Sequence, residues 1–156
     1  MKRIVIFLIL ARIFPLNICC QNASIIQDQY GPIYTSWNDS VMTYHTKEGK
    51  KLEIAANRVV FKHGEDALKK YLRNKYYQLY HPDDCDDNFR VFFFLLFDSN
   101  LKIKEVRGVV LPYSQFSESR KKRVKSYMKW LKHTTKQWIR ETNQKWYVYC
   151  FDIVSD

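Results

Sequence analysis

Glycine and proline are scarce, at four residues each among 156. There is no Pro-rich tract and no internal repeat, which argues against an extended spacer or a repeat array. The chain has no Gly-x-Ser-x-Gly, no phosphate-binding loop and no acid pair in a recognisable context. Its four histidines, His45, His63, His81 and His133, are scattered without metal-ligand spacing. Cysteine is sparse too. Cys19 and Cys20 close the N-terminal segment, which leaves Cys85 and Cys150. A Cys–His pairing is the one nucleophilic arrangement left open, because such partners meet only in the fold. The absences argue against an enzyme, and no cofactor or metal is implied.

What is abundant is aromatic and basic. Tyrosine, phenylalanine and tryptophan number 11, 10 and 4, so bulky rings should dominate the packing. The net charge is +10, of which Lys2, Arg3 and Arg12 carry a part. A chain of this length is read as one domain with a modest core.

Residues 1–20 have the three parts of a bacterial secretory signal. Met1-Lys2-Arg3 is charged, Ile4 to Leu10 is apolar, and Cys19-Cys20 precedes polar Gln21-Asn22. A membrane-spanning helix needs about 20 apolar residues, and Arg12 and Pro15 interrupt this one. Two processing routes are open: cleavage after Cys20, or lipidation of Cys19 or Cys20. Leu16-Asn17-Ile18 lacks the small residue expected before a lipidated cysteine, which favours cleavage. The expected location is thus periplasmic or secreted, with a lipid anchor as the other route. In an oxidising compartment Cys85 and Cys150 suffice for one disulfide, the alternative being two separate half-buried thiols. Export also makes nucleic acid an unsuitable partner for the basic charge, and favours acidic lipid, glycan or an acidic protein patch.

Residues 21–57 are polar, with turn signals at Gly31-Pro32, Asn38-Asp39 and Glu48-Gly49-Lys50. They read as an extension holding one or two short strands, for instance near Val41 to Tyr44. A short strand is also expected at Arg58 to Phe61. Ala67, Leu68, Tyr71, Leu72 and Tyr76 then fall at helical spacing, with acids first and lysines later, and Tyr80-His81-Pro82 ends the helix. Asp83-Asp84-Cys85-Asp86-Asp87-Asn88 is an acidic loop without calcium-loop spacing, read as solvated.

The strongest apolar run beyond the N-terminus is Phe89 to Phe97. Asp98-Ser99-Asn100 follows, and Leu101 to Arg107 alternates apolar with charged. This predicts a β-hairpin whose first strand is central and whose second shows one face to water. Ser114 or Ser117 caps the next helix, whose stripe runs through Val124, Tyr127, Met128, Leu131 and on to Trp138. Its other faces carry Arg120, Lys121, Lys122, Arg123, Lys125, Lys129, Lys132, Lys136 and Arg140. Thr142-Asn143-Gln144 breaks the helix, and Lys145 to Val154 is a strand rich in aromatic and β-branched residues.

The expected fold is α+β: a three-stranded antiparallel sheet, ordered second–first–last, with two helices on one face. The last strand then lies on an edge with unused backbone groups.

That arrangement resembles the C-terminal domain of the TonB energy-transducer family. Gly64 to Leu72 followed by Tyr80-His81-Pro82 resembles the family's lead-in helix. Val91 to Val110 resembles its hairpin, Lys129 to Trp138 its helix end and tryptophan, and Lys145 to Ile153 its last strand. The resemblance spans roughly residues 58–154, so residues 58–156 are taken as the domain. Two departures are local: Asp98-Ser99-Asn100 replaces the hairpin glycine, and no proline follows Trp138. The third is larger. Without a Pro-rich spacer or an anchor, energy transduction is not expected. The resemblance implies a binding mode instead, in which the last strand pairs with a short peptide from an outer-membrane transporter.

The first expectation is therefore a non-catalytic envelope module. It would bind a protein or peptide, for instance from a TonB-dependent transporter, along Lys145, Trp146, Tyr147, Val148, Tyr149 and Phe151. The second is a peripheral protein whose Lys121, Lys122, Arg123, Lys125 and Lys129 contact anionic lipid, at about 1 kcal/mol per basic residue near the surface.

Overall fold

The computed structural model describes residues 26–38, 41–55, 58–79, 90–111 and 117–154. The expected signal (residues 1–20), the helix stop at Tyr80-His81-Pro82 and the acidic loop with Cys85 lie outside the described residues.

The class is α+β, and a hairpin forms its centre. Strand β7 (Arg90–Asp98) pairs antiparallel with β8 (Ile103–Leu111) on one side and with β10 (Trp146–Val154) on the other. The order is β8–β7–β10. Alternation sends Phe93, Leu95 and Phe97 to one face of β7 and Phe94 and Leu96 to the other, and all five are buried. Each such side chain contributes about 1.5–3 kcal/mol relative to exposure, which fixes β7 as the middle strand. The hairpin turn closes on Asp98, whose carboxylate accepts the N–H groups of Asn100 and Lys102. The left-handed position that glycine usually fills is held by Leu101, at φ 59°.

Two helices cover one face. α1 (Glu65–Gln78) buries Leu68, Leu72 and Tyr76, and α2 (Glu118–Leu131) buries Val124, Tyr127 and Leu131. Ser117 caps α2 by accepting the N–H of Arg120. Tyr127 joins the helices, donating its hydroxyl to the Leu72 carbonyl at 3.0 Å and meeting the Tyr76 ring at 5.3 Å. Gly108 lets α2 sit close, since a Cβ there would lie 3.1 Å from Met128 Sδ and from Phe93 Cε1.

The helix after β8 is shorter than its periodicity suggests. It ends at Leu131, a 3-10 turn follows at Thr135–Gln137, and Trp138–Arg140 is strand β9. Thr134 makes the break by donating its hydroxyl to the Leu131 carbonyl at 2.7 Å, which competes with continued helix. The same oxygen accepts the indole N–H of Trp138 at 3.0 Å. Trp138 thus reaches the helix-side core from a strand, and β9 pairs with β6 (Val59–Phe61).

The opposite face of the central sheet is also covered. Within residues 26–55, β1 (Gln27–Asp28) pairs with β2 (Gly31–Pro32), while β3 (Tyr34–Trp37), β4 (Val41–His45) and β5 (Lys51–Ala55) form a second three-stranded sheet. Met42, Tyr44, Leu52 and Ile54 pack against Phe94, Leu96, Val109 and Val148. The layers are therefore helices, central sheet and second sheet.

This corrects the expectation that β8 turns its charged face to water. Glu105 and Arg107 are buried beneath the second sheet. Tyr44 donates its hydroxyl to Glu105 at 2.8 Å and the Lys47 N–H donates at 2.9 Å. Arg107, with no exposed surface, is paired with Asp28 and donates to the carbonyls of Gly31, Pro32 and His45. Desolvation of these charges is offset by several converging partners.

Candidate functional site

The two edges of the central sheet differ. β8 carries a register shift opposite Leu96/Phe97 and exposes Lys104 beside that shift. Bulges and lysines are the usual devices that blunt an edge. β10 has neither. Its nine residues pair with β7 in unbroken register, and it contains no proline. Its one charge, Asp152, accepts from Arg90 Nε at 2.5 Å, and exposed Lys145 stands just before the strand. Among the described residues no strand pairs with that outer side.

Residues along β10 serve different ends. Tyr147 and Val148 are fully buried, one in the helix-side core and the other against the second sheet. The Tyr147 hydroxyl donates to the Thr142 carbonyl and accepts the Gln144 N–H at 2.7 Å, so it fixes the turn that leads into the strand. Trp146, Tyr149, Cys150 and Phe151 are half-buried, and Lys145 is exposed. Tyr149 meets Trp138 at 5.0 Å and Phe151 stacks on Phe93 at 5.2 Å. Burial pushes the Tyr149 phenol up to about 12, with Glu65 and Cys150 adding to the rise. The strand thus offers backbone groups and the rims of four half-buried side chains, while Tyr147 and Val148 hold it in place.

Sequence reasoning missed what flanks this edge. β5 and β6 both approach β10: Leu52 and Ile54 share a core cluster with Val148, and Val59 and Phe61 share one with Tyr147. Phe61 packs edge-on to Trp138 at 5.8 Å, which in turn packs on Tyr149. No local pattern joins three residues of β6 to a strand some ninety positions later.

The candidate lipid set divides. Lys121, Lys122, Lys125 and Lys129 are exposed on α2. Arg123 is not: it is 4 % exposed, with its guanidinium 5.0 Å from the Tyr76 ring, and Arg120 is buried likewise. Both lie on the core-facing side of the helix with Val124 and Tyr127, which overturns the expectation that Arg123 reaches a surface. Cys150 is half-buried on the second-sheet side, and its expected partner Cys85 lies outside the described residues. His45 is held by Thr35, at 3.0 Å from Nε2, and its pKa is lowered by burial and then by Lys51 and Arg107. Among the described residues no three His, Cys, Asp or Glu side chains converge.

Comparison of the chain with protein-family models, with curated proteins and with solved structures finds no match.

Proposed function

We propose that this protein is a non-catalytic binding module of the bacterial cell envelope that takes an extended partner peptide as an added strand along β10. The observation that carries the reading is the asymmetry of the central sheet. One edge is bulged and charged, while the other is long, regular and without bulge or proline. Backbone N–H and C=O groups supply affinity in strand addition, and half-buried side chains such as Trp146, Tyr149 and Phe151 supply selectivity. The α+β class, with β10 beside β7 and helices on one face, is compatible with a TonB C-terminal-like arrangement. The second sheet on the other face is an addition to it. A peptide of a TonB-dependent transporter is the partner that resemblance suggests, and the leader-like residues 1–20 suggest the periplasm or the exterior.

Tyr149→Pro and Cys150→Pro form the test. In a regular antiparallel ladder neighbouring residues direct their N–H groups alternately inward and outward. One of the two prolines therefore removes an outward donor and spares the β7 ladder. The variant that keeps the native circular dichroism spectrum should fail to capture the envelope protein that the wild type retains. Capture undiminished in a folded variant of each kind contradicts the proposal.

A further inference from the structure

The helix layer presents a second surface, which meets the end of β10 where the Tyr77 hydroxyl donates to the Val154 carbonyl at 3.3 Å. The buried side of α1 is marked by Leu68, Leu72 and Tyr76, and that of α2 by Val124, Tyr127 and Leu131. On the opposite sides lie Lys70, Arg73 and Tyr77, and Lys122, Lys125 and Lys129, all exposed. Each set is spaced i, i+3, i+7, so each forms one stripe along its helix. The helices touch through Tyr71 and Trp130, whose rings are 5.2 Å apart, with Lys75 Nζ 5.9 Å from the indole. Arg73 lies 5.6 Å from the Tyr77 ring. Of the three acids at the helix starts, Glu65 pairs with Lys69 at 2.9 Å and Glu118 with Lys121, while exposed Asp66 stands four residues before Lys70.

We propose that this face docks on an anionic lipid bilayer, with the two helices lying in the plane of the headgroups. Charge complementarity supplies the attraction, through the five cations of the two stripes set against three acids at the helix starts, two of which are paired within their own helices. The aromatic content decides the kind of polyanion. Tyr71 and Tyr77 are each 37 % exposed, and Trp130 is half-exposed between the stripes. Tyrosine and tryptophan suit a layer that is wet at one end and apolar at the other, and with lysine and arginine they form the usual interfacial set. A nucleic-acid surface would use such rings to stack splayed bases along a groove. Here Tyr71 is engaged by the rings of Phe61 and Trp130, at 5.4 and 5.2 Å. The surface recruits α1 and excludes Arg123, so it differs from the one that the basic run of α2 alone suggests.

The experiment measures sedimentation of the folded protein with vesicles of phosphatidylcholine alone and of phosphatidylcholine with phosphatidylglycerol. Wild type should bind only the anionic vesicles, and binding should weaken as salt rises. Replacing Lys122, Lys125 and Lys129 together by Gln should weaken binding about a hundredfold, on the basis of about 1 kcal/mol for each basic residue. The same three-charge loss at exposed Lys50, Lys51 and Lys104, outside the helices, should change it by less than about threefold, the residue of long-range attraction. Tyr71→Ser with Tyr77→Ser should weaken binding while keeping its salt dependence. Equal binding to neutral vesicles, equal loss in both triple variants, or salt-sensitive binding to duplex DNA without vesicle binding would each overturn the proposal.

Discussion

Arg107 shows how a charge that reads as solvated becomes a structural anchor. It sits in a strand of alternating apolar and charged residues, and such a pattern ordinarily means one wet face. Its partner Asp28 lies 79 positions away, in a stretch with no strong periodicity, so nothing local announces the pair. Removing one member of a buried pair leaves the other uncompensated. Arg107→Leu should therefore lower stability by about 3–5 kcal/mol in chemical denaturation, with Asp28 and three carbonyls left wanting. Tyrosines supply a second test at this scale. Burial raises the phenols of Tyr44, Tyr127 and Tyr149 above the ordinary value of 10.0, Tyr149 to about 12. The native state holds these protons after the unfolded chain has released its own. Stability conferred by the neutral phenols is thus complete below pH 10 and declines as pH rises beyond it. Ultraviolet titration should show these three ionising late, together with loss of the circular dichroism signal.

Elements with strong and uninterrupted signals form as their patterns indicate. β7 is apolar on both faces, and α1 repeats its buried residues at helical spacing with acids at its start. The end of α2 is different. Trp138 stands seven positions after Leu131, so an unbroken helix would place both on one stripe. Thr134 ends the helix, and the tryptophan arrives at the same core by way of β9. The burial was legible and the conformation was not, because a buried position is compatible with either period. Gly108 gives no signal either, since its role depends on how closely α2 approaches β8. Gly108→Val should place methyl groups against Met128 and Phe93 and destabilise by about 1–3 kcal/mol, read as a lower denaturation midpoint with an unchanged m-value.

At the scale of the whole molecule, the addition that sequence reasoning understated is the second sheet. Its strands have four or five residues, and their outer faces are largely polar. Met42 and Tyr44, and Leu52 and Ile54, do alternate with polar neighbours, but over too short a span to separate from chance. Their burial becomes intelligible only against Phe94 and Leu96, the residues that made β7 apolar on its second face. A strand apolar on both faces requires two covering layers, so β7 already implied a cover opposite the helices. With both faces of the central sheet occupied, its free valence lies at the edges. β8 is blunted, and β10 is the edge from which recognition is proposed to proceed.

Amide hydrogen exchange along Trp146–Val154 in the free monomer tests that claim most directly. The account predicts alternation: amides donating to β7 exchange slowly, those between them exchange at rates near those of solvated backbone, and the fast set becomes protected when the captured partner is added. Uniform slow exchange of all these amides in the monomer without a partner would contradict it.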